Sequence, residues 1–296
     1  MTGISAGAPR GRAWTVPAAG VGALAVLAAL IAWIGYREAT ADPVVRRLRV
    51  AYSTWPAGAP PMRIALLSAV HFGGAAMPDA RLRRIVAQVN AAHPDLILLA
   101  GDFVIGHDGQ GALARAAGLA GPLSGRRPRV ASIAVLGNHD HWTAPVAIRA
   151  ALARAGIHLL SNTAVRIGPI AVLGIDDGYS GHDDVLRTVA AWRRIGGIPV
   201  ALTHAPDIVA KLPPELPLLL AGHTHCGQVV LPGVGPLLRH SLWEHWRPLY
   251  DARLRCGVIA EAHRTIVVTA GIGSGTLPLR LGAPPDWWWI ELGPGR

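Results

Sequence analysis

The chain has 296 residues, 51% of them hydrophobic and 16% charged, with a formal net charge of +10. That length suits one large α/β domain with an N-terminal appendage, and the apolar content can fill a sizeable core. The positive charge, nearly all arginine because Lys211 is the only lysine, favours phosphate-bearing or anionic-membrane partners. The absence of a dense basic block, a nucleic-acid motif or an internal repeat argues against nucleic-acid-binding and solenoid classes.

The first predicted element is a membrane helix. Trp14–Tyr36 carries no charged residue over 23 positions. At helical rise this spans a hydrocarbon core of ~30 Å. Arg10 and Arg12 precede it, so the positive-inside rule assigns residues 1–13 to the cytoplasm and the rest of the chain to the far side. Trp14, Trp33 and Tyr36 fall near the two interfaces. Ala39-Thr40-Ala41 also has the form of a signal-cleavage site, but the apolar run is longer than a usual signal core, which favours a retained anchor.

Residues 37–62 read as a linker with one short strand, Leu48–Tyr52, and residues 63–296 as the main domain. A strand begins at Arg63. Pro78–Ala92 is a helix, with Leu82, Ile85, Val86 and Val89 at helical spacing. His93-Pro94 ends it, because the residue before proline avoids the helical region. Leu96–Ala100 and Ala131–Leu136 are strands, with a helix over Gly111–Leu119 between them and another over Pro145–Ala155 after. This alternation indicates parallel βαβ units. Ile157–Leu160, Ala164–Ile167 and Ile170–Leu173 are closely spaced, and Gly168-Pro169 marks a hairpin, which suggests a second, more antiparallel sheet. Asp183–Arg194 is a helix, followed by strands at Pro199–Thr203 and Leu216–Ala221. Val229–Leu231, Ile266–Ala270 and Trp287–Leu292 are expected to complete the second sheet.

Short apolar runs end repeatedly in oxygen and imidazole donors. Ser68-Ala69-Val70-His71 follows Ile64–Leu67, and Gly101-Asp102 follows Leu96–Ala100. Gly137-Asn138-His139-Asp140, Thr203-His204 and Gly222-His223-Thr224-His225 follow the later runs. Ligands in α/β sheets bind beyond the carboxyl ends of strands. Any one cluster could be turn residues or a helix cap; the ordered set argues for a site. Two histidines two apart suit two metal ions, or one metal and one substrate group, better than one closed zinc site.

These blocks resemble those of the calcineurin-like metallophosphoesterase superfamily, D-x-H, G-D, G-N-H-[DE], H and G-H-x-H, over roughly Arg63 to Leu292. The likeness is nearest to a bacterial membrane-associated phosphodiesterase subgroup with G-H-T-H-x-G-Q and a late G-x-G-x-S-G…P-x-R segment, here Gly222–Gln228 and, loosely, Gly271–Arg280. The resemblance implies an α/β four-layer sandwich, two packed mixed sheets flanked by helices. It implies two divalent metal ions of the manganese type, with iron, zinc or magnesium as alternatives. His71, Asp102 and His225 match the ligands of the first metal, and Asp102, Asn138, His204 and His223 those of the second. His139 matches the non-ligand acid, with Asp140 expected to orient its ring, and Arg280 matches a substrate-binding arginine. The implied reaction is metal-dependent hydrolysis of a phosphodiester or pyrophosphate bond by a metal-activated water, on a substrate that can be lipid-linked.

One departure bears on activity: position 69 is Ala where the first block has Asp. A weakened first metal, a substitute ligand such as Asp79, and a silent metal-binding membrane protein are the alternatives it raises. Cys226 and Cys256 can pair, or Cys226 can be a free thiol near the metal or simply a small buried residue. Trp243, Trp246, Trp287, Trp288 and Trp289 crowd the last quarter. Consecutive residues on a strand point to both faces, so part of this set is expected to face a membrane or an acyl chain.

Overall fold

The computed structural model describes residues 18–107, 109, 111–241 and 244–295. Residues 1–13, Trp14 and Trp243 lie outside them. Helix α1 (Ala18–Thr40) leads into β1 (Val44–Tyr52), β2 (Met62–Leu67), α2 (Asp79–Ala91), β3 (Leu96–Ala100), α3 (Ala112–Leu123) and β4 (Ala131–Val135). Then come α4 (Asn138–Thr143), α5 (Pro145–Arg154), β5 (His158–Leu159), β6 (Thr163–Ile167), β7 (Ile170–Gly174), α6 (Val185–Ile195), β8 (Ile198–Leu202) and β9 (Leu218–Ala221). A small hairpin, β10 (Val230–Leu231) and β11 (Gly235–Pro236), precedes β12 (Gly257–Ala260), β13 (Thr265–Val268) and β14 (Asp286–Pro294).

The first sheet runs β1-β14-β2-β3-β4-β5 and the second β12-β13-β9-β8-β7-β6. Within the first, β2 through β5 are parallel and β14 is antiparallel to β2. Within the second, β13, β9, β8 and β7 are parallel, and the β6–β7 hairpin turns at Gly168-Pro169 as its sequence predicts. Period-two alternation sorts each strand into two layers. Ile64, Leu66, Leu98 and Ile133 face Val172, Val200, Leu202 and Leu220 across the middle. Ala65, Leu67, Ile97 and Leu99 face outward onto Leu82, Ile85 and Val89 of α2, Leu119 of α3 and Leu152 of α5. Leu173 and Leu219 do the same against Val185 and Val189 of α6. The four-layer sandwich is therefore helices, sheet, sheet, helix.

Several expectations need correction. Val229–Leu231 does not join the second sheet: β10 pairs with β11 in a separate two-stranded sheet. Trp287–Leu292 does not join the second sheet: β14 lies in the first, with Trp288 opposite Leu66 and Ile290 opposite Ile64. His158–Leu159 likewise pairs with β4. Because β14 is an interior strand of a sheet covered on both faces, the tryptophans alternate between two cores. Trp287 is wholly buried with the helices and Trp288 with the opposite sheet. Among the described tryptophans of this group, Trp246 alone is largely exposed, at 64%. The segment after α1 is not a free connector either, since β1 pairs with β14 along its length.

Helix α1 is the one helix among the described residues long and apolar enough to cross a membrane, and it continues past Tyr36 to Thr40. Ala39 is fully buried against the domain, while Leu24 and Val26 are 67% and 70% exposed.

Trp287 fills the helix-side core and its indole N–H donates to Gln88 Oε1 at 2.9 Å. Trp287→Ala is expected to cost ~3–5 kcal/mol. Urea unfolding of the detergent-solubilised chain checks this, and an unchanged midpoint would contradict the packing described.

Candidate metal centre

The carboxyl ends of the parallel strands of both sheets meet at one edge. Two glycines permit the approach. A Cβ on Gly137 would lie 2.3 Å from Asp102 Oδ1, and one on Gly222 would lie 1.9 Å from Ser68 Oγ, which donates to the Ala100 carbonyl at 2.6 Å. The loops then turn through left-handed backbone at residues other than glycine: Ala69 (φ 48°), His71 (47°), Asp102 (59°), His223 (67°) and His225 (49°). Such conformations cost on the order of 1–3 kcal/mol each and concentrate where a site needs them.

Asp102 is the centre of the arrangement. Its Oδ2 lies 3.5 Å from His71 Nε2 and 3.2 Å from His204 Nε2, and its Oδ1 accepts the backbone N–H of His139 at 3.0 Å. Asn138 Oδ1 is 3.1 Å from His204 Nε2, and His223 Nδ1 is 3.2 Å from the same nitrogen. His71 Nε2 and His225 Nε2 approach to 3.1 Å. The structure thus brings together all six residues that matched metal ligands. His71, Asp102 and His225 offer ligand atoms within 4.8 Å of one another.

The tautomers test whether a cation fits. His204 Nδ1–H donates to the Ala100 carbonyl at 2.6 Å, and His223 Nε2–H donates to the Leu249 carbonyl at 2.8 Å. In the neutral rings the two facing nitrogens are then both lone pairs. Asn138 Oδ1 and Asp102 Oδ2 add two more acceptors beside His204 Nε2. Four acceptors converging with no donor among them suit a cation, and the outward N–H bonds are those that orient metal-bound imidazoles. The first group fits less fully. It holds one carboxylate, shared with the second, and His71 Nδ1 is buried without a hydrogen-bond partner.

Burial sets the electrostatics. It drives the pKa of His71 down to about 3 and that of His225 well below the usual range. Burial, then the charge of His204, lowers His223 to about 4. Burial also opposes charge on His204, but the neighbouring Asp102 carboxylate outweighs it and lifts the ring to about 9, so the ring takes up a proton at Nε2 that a bound cation would displace to leave the neutral form described above. For Asp102 burial is outweighed by His204, His139 and His71, which hold the carboxyl well below its ordinary value.

Asp140 does something other than expected. Its carboxylate does not touch the His139 ring, whose Nδ1 bonds the Gly106 carbonyl. It accepts three backbone N–H groups instead: Asp102 and Gly137 at 2.9 Å and Phe103 at 2.7 Å. At the third position of α4 it ties the start of that helix to the Asp102 loop, as an acidic residue in a capping box does. Arg280, matched to substrate binding, is fully buried behind His225. Its guanidinium donates to the carbonyls of Ala270, Gly273 and Ala283 and to His225 Nδ1 at 3.1 Å, so it positions the ring and does not line the cavity. Asp79 pairs with Arg83 at 2.6 Å on the half-exposed start of α2 and supplies no substitute ligand.

Asp177 is a site residue missed in the sequence. It is wholly buried at the end of β7; Oδ2 accepts from Ser180, Oδ1 has no partner, and its charge acts on His204 and His223. The signal was there: Ile170–Gly174 is an apolar run followed by Ile175-Asp176-Asp177, the pattern of the other strand ends.

Four of the six candidate ligands, Asp102, Asn138, His223 and His225, line a cavity of about 290 Å³. Asp102, Asn138, His139, His223 and His225 form its floor, and Trp142, Tyr179, Leu238, Tyr250 and Leu277 its largely apolar walls. A larger cleft of about 490 Å³ nearby contains none of the ligands. Cys226, next to His225, is disulfide-bonded to Cys256.

Comparison with known proteins agrees with this geometry. The family model for calcineurin-like phosphoesterases matches residues 62–227. A transmembrane protein with metallophosphoesterase domain from Danio rerio is 29% identical over 275 residues, covering 86% of this chain and 59% of that protein. Phosphodiesterase YaeI of Escherichia coli is 30% identical over 246 residues, 79% of this chain and 83% of YaeI. The chain spans about three fifths of the transmembrane relatives, 59% and 60% of their lengths.

Because Asp140 holds the loop that carries Asp102, Asp140→Asn is expected to lower divalent-metal affinity ~10–100-fold, as supporting residues of metal sites do. Calorimetric Mn²⁺ titration of both proteins checks this; equal affinities would make Asp140 a cap and nothing more.

Proposed function

The chain belongs to the calcineurin-like phosphoesterase family, and from that premise we propose that it is a membrane-anchored phosphohydrolase cleaving a phosphodiester or pyrophosphate bond of a lipid-linked substrate. The observation that carries the reading is the convergence of Asp102 Oδ2, Asn138 Oδ1 and His223 Nδ1 on His204 Nε2 just beneath the floor of an open cavity. Asp102, Asn138, His204 and His223 would hold one divalent ion, and His71, Asp102 and His225 the other. When bound, such cations act as Lewis acids, activating water and neutralising phosphoryl charge. A donor set of imidazole, carboxylate and amide oxygen without thiolate suits manganese or iron, and zinc equally.

The remaining residues have separable tasks. His139 lines the cavity; with Nδ1–H on the Gly106 carbonyl, its Nε2 is an acceptor in the neutral ring and becomes a donor to a phosphoryl or leaving oxygen only in the protonated ring. Asp102 accepts the His139 backbone N–H and so fixes that ring relative to the ligands. Trp142, Tyr179, Leu238 and Leu277 give the cavity walls that favour an apolar group beside the ester, which supports a lipid-linked substrate. The Cys226–Cys256 disulfide supports placing the domain on the extracytoplasmic side, since disulfides persist in oxidising compartments.

A second reading, a weakened or silent metal-binding membrane protein, is favoured by two observations at the first metal group. Position 69 offers a methyl group in place of a carboxylate. Arg280 also donates to His225 Nδ1, which assigns the proton of the neutral ring to Nε2, the atom that faces His71.

Hydrolysis of bis-(p-nitrophenyl) phosphate by the purified chain with added Mn²⁺ tests the proposal, and its absence across divalent metals would favour the second reading. His139→Ala is expected to retain metal and lose ~10²–10⁴-fold in turnover. Metal loss in that variant, measured by elemental analysis, would assign His139 to the ligands instead. Ala69→Asp is expected to raise metal stoichiometry and turnover together, because it adds an anionic oxygen beside His71. If neither changes, the first group is complete without a carboxylate at 69.

A further inference from the structure

Helix α1 leaves the domain at one point. From Val21 to Ile34 its large apolar side chains are exposed. Gly35 is the first buried residue, since its carbonyl accepts the Arg280 N–H at 2.9 Å and a Cβ there would sit 3.3 Å from the Arg280 carbonyl oxygen. One turn later Glu38 Oε2 accepts the Gly282 N–H at 3.4 Å. Arg81 then closes the helix end, donating to the carbonyls of Thr40 at 3.1 Å and Ala41 at 2.7 Å. Arg37 lies over the Trp33 ring at 5.8 Å, a pairing suited to a membrane interface.

The segment that grips this helix also walls the cavity. Thr276 and Leu277 line the cavity three to four residues before Arg280. Gln228 Nε2 donates to the Leu277 carbonyl at 3.0 Å. Leu281 N–H donates to the Gln228 carbonyl at 2.9 Å, and Val230 N–H to the Leu281 carbonyl at 2.8 Å, which joins the loop to the β10–β11 hairpin. On these two segments Leu277 is 49%, Leu237 53%, Leu238 36% and Val234 64% exposed. Leu277 and Leu238 belong to the cavity wall as well.

A helix crossing a bilayer puts Gly35, directly after its last lipid-facing side chains, at the edge of the hydrocarbon. The Arg280 backbone in contact with it lies at the same depth, and Leu277 is a few residues away. We infer that the cavity opens at the bilayer surface, and that Leu277, Leu237, Leu238 and Val234 form an apolar lip inserted into the headgroup region of the membrane that α1 crosses. The occupant of this lip is the lipid layer: the patch is continuous with the membrane helix, and an arginine-rich chain of net charge +10 suits anionic headgroups. A phosphoester would then enter from the membrane with its apolar part still in lipid. This rests on reading α1 as membrane-crossing and the cavity as catalytic.

Both cysteines are in the disulfide, so an added cysteine is the single labelling site. Leu277→Cys, Leu237→Cys and, on the outer helix α6, Leu186→Cys are nitroxide-labelled in the full chain. Each is reconstituted in nanodiscs of phosphatidylcholine with phosphatidylglycerol. Oxygen and nickel-chelate accessibilities are expected to place the labels at 237 and 277 ~5–10 Å below the phosphates, as for an interfacial apolar face. The label at Leu186, which is 85% exposed, should be in water. Labels at 237 and 277 as wet as the one at 186, with bis-(p-nitrophenyl) phosphate hydrolysed by the unsubstituted chain in the same nanodiscs, would overturn the lip and leave the phosphohydrolase reading intact. A lip found in the bilayer of a chain that hydrolyses no ester would do the reverse, upholding the lip and overturning the catalytic reading.

Discussion

A single carboxylate surrounded by imidazoles governs the domain. Asp102 is 1% exposed, and burying a charge is costly unless it is paired or binds a cation. Everything near it serves that requirement. Its backbone takes a left-handed turn, its amide is held by Asp140, and both carboxylate oxygens face donors or ligands. The two sheets must meet at their carboxyl edges for this to be so, because His71 and Asn138 come from the first sheet and His204, His223 and His225 from the second.

What was legible in the chain followed from local chemistry. Each ligand lies just past a short apolar run, and a strand end is where side chains can leave the pleat for a shared site. The roles that were misread belong to side chains whose partners are distant. Asp140 was paired with its neighbour His139, but it serves the backbone of the loop at 102. Arg280 was given a substrate, but burial turned its donors onto carbonyls. Asp177 follows the same kind of strand end but matches no block of the family resemblance.

Strand order was beyond reach for a related reason. Alternation in Trp287–Leu292 identifies a strand without naming its neighbours. The consecutive tryptophans are expected to leave part of their number facing a membrane or an acyl chain, but the sheet they occupy has a core on each side, which buries Trp287 and Trp288 and packs Trp289 in part. Polar groups confined to one face would have marked an edge or a half-exposed sheet. Their scarcity on β14 is the trace that burial on both faces leaves in a sequence.

The position of β14 also bears on the timing of assembly. It lies between β1 and β2, yet it is the last strand of the fold along the chain. Until residues 286–294 are available, β2 keeps one unpaired edge and two cores each lack a tryptophan. Pairings so distant in sequence form slowly, after loop closure over most of the chain. All six metal-ligand candidates precede residue 286, so a nascent polypeptide carries the full set of donors well before the scaffold that aligns them can close.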